Sequence, residues 1–187
     1  MEFGNYALEV DNKTELEPYV HLHHEEYYKL NLKNNDSTTC TAVVSIDGTE
    51  VLRLQIKPYT TITVDRPSAF KKKLVYLHEY TREFNEANLG AVSSELRGLV
   101  STSFIPEKSV YIPLNKTMHG GYSFRDGNKG ADYHSGRTTR GGGTGLGKSS
   151  DQEFISVKPL DLDYSKKVTI HLRLVPVTRS TPIPPPL

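Results

Sequence analysis

The sequence predicts an all-β fold, an antiparallel sandwich of about eight strands. Apolar and polar residues alternate in many short runs, most clearly at Val168, Ile170, Leu172 and Leu174. This period of two is that of a strand with one buried and one solvated face. A length of 187 residues fits a single domain with its own core.

The predicted strands follow one another along most of the chain. They are Tyr28-Leu30-Leu32, Cys40-Ala42-Val44, Leu52-Leu54-Ile56, Ile62-Val64, Leu74 to Leu77, the neighbours of Phe104, Val110-Ile112-Leu114 and Val168 to Leu174, with weaker candidates at Tyr6 to Val10 and Phe154 to Val157. His171 alternates with apolar residues in the last run, so it is expected to face solvent. Apolar residues between positions 81 and 99 recur at helical spacing, which predicts one short helix or two.

The Asp47-Gly48 pair predicts a tight hairpin between two of these strands. A two-residue loop with a regular ladder would place Ala42 opposite Arg53. Leu52 and Leu54 would then point to the opposite face from Ala42 and Val44. A three-residue loop with a bulge at a left-handed Gly48 sets Ala42 opposite Leu52 and Cys40 opposite Leu54. We therefore predict the bulged loop, with Asp47 and Gly48 as structural turn residues.

Ten of the fourteen glycines fall between Gly120 and Gly147, and residues 117–150 are expected to form a glycine-rich loop or insertion. The segment from Gly142 to Ser149 matches the phosphate-loop pattern G-x-x-x-x-G-K-[ST]. That motif needs a buried strand before it and a helix directly after it. Neither pattern is present, so the sequence does not favour a nucleotide-binding enzyme.

Surface contact is the role expected for this glycine-rich loop and for the chain's last residues. Residues 1–177 are predicted to form the sandwich domain, and residues 178–187 an extended proline-rich arm. Basic and aromatic residues on such a loop suit contacts with nucleic acid or with an acidic protein surface, and the length of the loop favours a protein contact. The candidate interface residues are Tyr122, Arg125, Tyr133, Arg137 and Arg140 in the loop and Pro182, Pro184 and Pro185 in the arm.

Composition gives no positive support for catalysis, a cofactor or a metal. The formal charge is +1, which favours neither nucleic acid nor an anionic membrane as a partner. Cys40, the single cysteine, lies in a strand pattern and is expected to be a core residue. His21 and His23 share a strand face, but no third ligand is fixed by spacing, so an exposed polar edge is the preferred interpretation.

The sequence also gives little indication of a membrane span, a leader peptide or glycosylation. No stretch has the length of a membrane span, and synthesis in a cytosol is expected because no leader pattern is seen. Asn12, Asn35 and Asn115 begin N-x-[ST] triplets, which are read as chance matches.

The hairpin region resembles small single jelly-roll proteins of large icosahedral double-stranded DNA viruses, particularly those of algae. The resemblance lies in Cys40 to Val51 (CTAVVSIDGTEV), in Ile56-Lys57-Pro58, in residues 62–67 and 149–154, and in the closing residues 168–175. It covers about a quarter of the chain. It implies an eight-stranded jelly roll that acts in the virion as a penton or another minor capsid protein. Its partners would be copies of itself in a cyclic oligomer, a pentamer for a penton, and neighbouring capsid proteins.

One alternative function remains open at this point. A carbohydrate- or receptor-binding β-sandwich could use the same fold, with aromatic residues and carboxylates as its ligand site. The absence of tryptophan counts mildly against sugar stacking.

Overall fold

The all-β class is confirmed in a computed structural model, which describes residues 1–13, 18–109 and 141–177. The strands are β1 (Glu2–Phe3), β2 (Tyr6–Val10), β3 (Tyr19–Leu22), β4 (Glu26–Tyr27), β5 (Leu30–Asn34), β6 (Cys40–Ile46), β7 (Thr49–Ile56), β8 (Thr60–Val64), β9 (Lys72–His78), β10 (Leu99–Pro106), β11 (Gly142–Ser149) and β12 (Val168–Pro176). One short α-helix, α1 (Arg82–Glu86), and two 3₁₀ turns, Leu89–Ala91 and Tyr164–Lys166, complete the described part.

The strands form three sheets. One has the order β1-β2-β5-β8, the second β3-β12-β10-β6-β7 and the third β11-β9-β4. All pairings are antiparallel except that of β3 with β12, which is parallel. The first two elements of the chain therefore belong to one sheet, and β3 crosses to the edge of another.

The three-stranded sheet continues the four-stranded sheet. Tyr28 N–H donates to Leu74 O at 3.3 Å, and Leu74 N–H donates to Asp65 O at 2.8 Å. These bonds join the end of β4 and the end of β8 to the start of β9. The molecule is thus a two-layer sandwich, with the five-stranded sheet as one layer and the other two sheets as the second.

The main core lies between these layers. Its buried residues come from both, and the largest include Phe104 and Leu172 on one side and Leu8, Leu32 and Tyr76 on the other. Tyr6 stacks on Phe104 with ring centroids 4.8 Å apart. Burying side chains of this size is the dominant stabilising contribution, about 1.5–3 kcal/mol for each large apolar group.

A second, smaller cluster lies on the opposite face of β9. Leu74 and Tyr76 point into the main core, whereas Val75 and Leu77 pack with Phe84 and with Leu89 of the helical connection. The prediction of one short helix or two between residues 81 and 99 is confirmed. Thr81 begins α1 by accepting a hydrogen bond from Phe84 N–H at its side-chain oxygen.

The predicted three-residue loop of the β6–β7 hairpin is wrong. The prediction that the apolar residues of both strands share one face is confirmed. Ile46 pairs with Thr49, so the loop has two residues, and Asp47 and Gly48 have φ of 51° and 80°. The bulge lies in β7 instead, because Glu50 pairs with Ser45 and Leu52 with Val44. The extra residue sets Ala42 opposite Leu54 and Cys40 opposite Ile56, which still brings the apolar set to one face.

Other strand predictions differ in places from the structure. Residues 154–157 form no strand, and β1, β4 and β11 were not predicted as strands. The predicted strand at 110–114 lies outside the described residues. His171 faces solvent as predicted, with its Nδ1 2.7 Å from Ser101 Oγ on β10. Cys40 is fully buried, and burial raises the pKa of its thiol to about 12.

Candidate functional site

The glycine-rich phosphate-loop match is a β-strand, not a loop. Residues 142–149 form β11 and pair with β9 from Gly142 opposite His78 to Ser149 opposite Lys72. No helix follows, since residues 150–161 contain neither a helix nor a 3₁₀ turn. The prediction that residues 117–150 form a loop is therefore wrong for residues 142–149. A strand that uses its backbone for sheet pairing cannot wrap its N–H groups around a phosphate.

The glycines of β11 make room for side chains of neighbouring strands. A Cβ at Gly145 would lie 2.6 Å from Leu77 Cδ1, and a Cβ at Gly147 would lie 2.7 Å from Tyr27 Cζ. At Gly142 a Cβ would lie 2.6 Å from Leu77 O and would also strike the Tyr76 hydroxyl. These side chains can lie across β11 only because it has no side chains at these positions.

Asp47 holds β11 to the rest of the molecule. Its Oδ2 accepts Thr144 N–H at 2.7 Å, and its Oδ1 accepts Gly98 N–H at 2.6 Å. One carboxylate at the hairpin turn therefore joins the start of β10 and the middle of β11. Its role in the turn was predicted, but this tertiary role was not, because the sequence does not show which distant N–H groups meet it.

The environment of Asp47 is buried and contains few neutralising charges. Desolvation raises the pKa of this carboxyl to about 6, opposed by its two backbone hydrogen bonds and by the charges of Arg173 and Arg97. Nearby, Tyr28 Oη lies 2.6 Å from Thr144 Oγ1, and burial raises the pKa of this phenol above its ordinary value.

A second carboxylate fixes the beginning of β11. Glu79 Oε2 accepts Gly141 N–H at 3.1 Å, and Glu79 Oε1 forms an ion pair with Arg97. The Arg97 guanidinium also lies 5.7 Å from the Phe84 ring centroid. Glu79 and Asp47 together anchor the strand at the point where the described chain resumes.

Two clefts open on the outer face of the three-stranded sheet, one on each side of Tyr27. The larger, of about 590 Å³, has an apolar floor that includes Val75 and Leu77, and glycine backbone from β11. Glu25, Glu83 and Glu86 line it; Glu86 Oε1 accepts a hydrogen bond from Arg82 Nε at 2.6 Å, and Glu83 Oε2 lies 3.5 Å from His24 Nε2. This cleft therefore offers acceptors for hydroxyl or ammonium groups beside an apolar surface.

The smaller cleft, of about 260 Å³, has the opposite charge. It is lined by Lys29, Lys73 and Lys148 with Tyr27, Tyr28 and Asp65. Lys148 is the lysine of the phosphate-loop match, and its Nζ lies 5.9 Å from the Tyr27 ring centroid. Because Tyr27 borders both clefts, they adjoin and form a groove with an acidic and a basic end.

The histidines do not form a metal site in the described part of the chain. His21 and His23 are exposed, and β3, which carries His21, is the edge of its sheet, as predicted. His24 lies against His78 with centroids 5.4 Å apart, and its Nε2 is 3.5 Å from Glu83 Oε2. Among the described residues, no three His, Cys, Asp or Glu side chains are placed to hold an ion.

The structure does not test the predicted interface residues. Tyr122, Arg125, Tyr133, Arg137 and Arg140, and Pro182, Pro184 and Pro185, lie outside the described residues, as does Asn115. Among the described residues, no helix is long and apolar enough to cross a membrane.

The chain matches no family model, no curated protein and no solved structure. The candidate site is therefore argued from its geometry alone. Sequence reasoning did not find Tyr27, Lys29, Lys73 or the three glutamates, because they come from strands and a helix that are distant along the chain. The available signal was the spacing of Tyr27 and Lys29, which places them on one face of an extended segment.

Proposed function

We propose that this protein is a non-enzymatic β-sandwich subunit that acts by surface contact, as a penton or another minor protein of a viral capsid. This proposal is supported mainly by the groove on the three-stranded sheet. The groove combines opposite charges, an exposed aromatic ring and a glycine-lined floor. Such a surface suits binding. The cysteine thiol, the strongest nucleophile type in the chain, is buried and has a raised pKa, so it does not suit catalysis.

The capsid setting is supported by the sequence resemblance around the β6–β7 hairpin. In this setting the subunit lies in the virion, where it contacts copies of itself and neighbouring capsid proteins. A ring of identical subunits requires two different, complementary surfaces on each copy. The groove, with its charged ends, is the described surface best suited to be one of them.

The order of the strands in the two sheets affects this proposal. A jelly roll was expected, but the strand order favours an immunoglobulin-type sandwich. Read as G-F-C-C′, β12-β10-β6-β7 has the order of one immunoglobulin sheet, and β2-β5-β8, read as A-B-E, has the order of the other. The capsid proposal thus stands on the hairpin resemblance and on the binding surface, not on a jelly-roll order.

Quantification of the protein in purified virus particles tests the capsid role. A capsid subunit should be present at a fixed copy number that survives gradient purification and nuclease and protease washing. The major capsid protein serves as the internal standard, and a non-structural viral protein as the negative control. Absence of the chain from washed particles would contradict the capsid role and leave the groove open to other ligands.

A carbohydrate- or receptor-binding module is the second candidate, and Tyr27 is the observation that favours it. This ring is 40% exposed and lies between a cleft of carboxylates and a cleft of ammonium groups. Sugars are bound by an aromatic face together with charged and polar side chains that bond their hydroxyls. Binding of the purified chain to an array of saccharides tests this candidate without any virus particle.

A further inference from the structure

The basic cleft gathers three lysines from three separate parts of the chain. Lys29 lies between β4 and β5, Lys73 on β9 and Lys148 on β11. Within the described residues none of the three has a carboxylate within ion-pair distance, whereas Lys13, Lys33 and Lys71 each do. The cleft is therefore a concentration of positive charge on a chain whose formal charge is only +1.

The single carboxylate in this cleft does not balance that charge. Asp65 Oδ1 accepts the Ser150 hydroxyl at 2.6 Å, and the count of three ammonium groups against one carboxylate leaves +2. Ammonium groups gathered in one cleft repel one another. A bound anion would convert this repulsion into attraction.

Tyr27 gives the cleft a fixed wall and a neutral donor. Its hydroxyl oxygen accepts Lys148 N–H at 3.1 Å, which leaves the phenolic hydrogen free to donate to a ligand. Its ring lies beneath the Lys148 ammonium group. Gly147 permits this arrangement, since any side chain there would collide with the ring.

The acidic cleft beyond Tyr27 limits which anions can bind. A polyanion such as a nucleic acid that extended from the lysines across Tyr27 would meet the carboxylates of Glu25, Glu83 and Glu86. A ligand with one charged group and a row of neutral hydroxyls would not, because carboxylates accept hydroxyl hydrogen bonds.

We propose that this groove binds a saccharide that carries a sulfate or phosphate ester. The ester lies among Lys29, Lys73 and Lys148 and accepts the Tyr27 hydroxyl, and the sugar hydroxyls donate to the carboxylates on the other side. This proposal deepens the saccharide candidate above and rests on it, and it is independent of the capsid role.

Titration calorimetry and ¹⁵N NMR with glucosamine 6-sulfate, glucosamine 6-phosphate and unmodified glucosamine test the proposal. Both esters should bind and shift the amides near Tyr27 and Lys148, and glucosamine should bind about tenfold more weakly or not at all. The ratio of the two ester affinities identifies the preferred group. Inorganic sulfate and phosphate should compete, and they should bind more weakly than the sugar esters because they make no contact with the carboxylates.

Variants locate the site. The Lys73→Ala, Lys148→Ala double variant should weaken ester binding at least tenfold, whereas Lys72→Ala, the exposed neighbour on the same strand, should not. Tyr27→Phe keeps the ring and removes the donor, and should weaken binding about threefold to tenfold. Thermal unfolding of each variant confirms that it is folded.

Equal binding of esters and glucosamine would overturn the proposal, as would an equal loss in the Lys72→Ala control. Tighter binding of a single-stranded oligonucleotide, in competition with the sugar ester, would assign the lysines to nucleic acid instead. Neither result bears on whether the protein is found in virus particles, so failure here is distinguishable from failure of the capsid role.

Discussion

At the residue scale, Asp47 combines a local and a tertiary role. It occupies the first position of a two-residue turn with a positive φ, and its carboxylate accepts two N–H groups from distant strands. Replacing it leaves those N–H groups buried without an acceptor, which costs more than the loss of an ordinary surface bond.

Asp47→Ala should therefore lower the free energy of unfolding at pH 5 by about 2 kcal/mol or more. Urea unfolding followed by circular dichroism measures this value. The matched control is Asp151→Ala, at an exposed aspartate, which should change stability by no more than about 0.5 kcal/mol. Equal losses in the two variants would show that the hydrogen bonds to Asp47 add no measurable stability.

The same residue predicts a dependence on pH with a definite sign. Its pKa in the folded state, about 6, lies above the ordinary 3.8, so folding favours the protonated form. The stability it contributes is present below pH 4 and is lost as pH rises through 6. The difference in unfolding free energy between the wild type and Asp47→Ala should shrink by up to about 3 kcal/mol between pH 4 and pH 7.

Paired unfolding curves at half-unit pH steps measure this difference and cancel the titration of groups common to both proteins. Arg97 and Arg173 are the cations that act on Asp47, and the charge of Asp47 acts in turn on the phenols of Tyr28 and Tyr76. A difference that grows with pH would show that these cations and the two N–H donors outweigh desolvation.

At the element scale, β11 shows that a glycine-rich run can be a strand defined by its neighbours. Gly142→Ala should destabilise the protein by more than about 1 kcal/mol, because the new methyl group would collide with Tyr76 and with Leu77 O. Gly90→Ala is the control, since a Cβ there meets nothing within 4 Å. Thermal melts that shift equally for both variants would contradict the packing role of the β11 glycines.

Much of the element list was predictable from the sequence because burial on one face imposes a period of two. The runs that became β5, β6 and β12 carry that pattern over several residues, whereas β9 was predicted from a continuous apolar run that is buried on both faces. β11 does not, because four of its eight residues are glycines, and short strands such as β4 hold too few residues to show any period. The position of the β7 bulge was not predictable either, since a loop bulge and a strand bulge bring the same residues to the core.

The candidate site was less predictable than the fold. Tyr27, Lys73 and Lys148 lie on three strands, and nothing in their local sequence indicates that they meet. The sequence raised doubt about the phosphate loop, because the flanking segments lacked its strand and helix. It placed functional interest on positions 122–140 and on the proline arm, which the described residues do not test.

At the scale of the whole molecule, the two buried clusters extend from Tyr6 to Leu174. β2 and β3 supply five of their residues, namely Tyr6, Leu8, Val10, Val20 and Leu22. Deleting residues 1–22 should therefore abolish cooperative folding, since these side chains together contribute several kcal/mol of burial. Deleting residues 178–187 should leave the melting temperature within a few degrees of the wild type.

Circular dichroism melts and one-dimensional NMR of the two truncated chains check this pair of outcomes. A cooperative transition in the chain that lacks residues 1–22 would show that the five-stranded sheet folds without its partners. A large loss in the chain that lacks residues 178–187 would place part of the stabilising contacts beyond Val177.

The anchoring of β11 by Asp47 has a consequence for self-association in solution. β11 is the last strand of its sheet, and an outermost strand with unoccupied N–H groups is a template onto which another molecule can add a strand. Here the Thr144 N–H is already bonded to the Asp47 carboxylate, so it is not available to an incoming strand. The same contact that fixes the strand is therefore expected to oppose the addition of a strand from another molecule at this border.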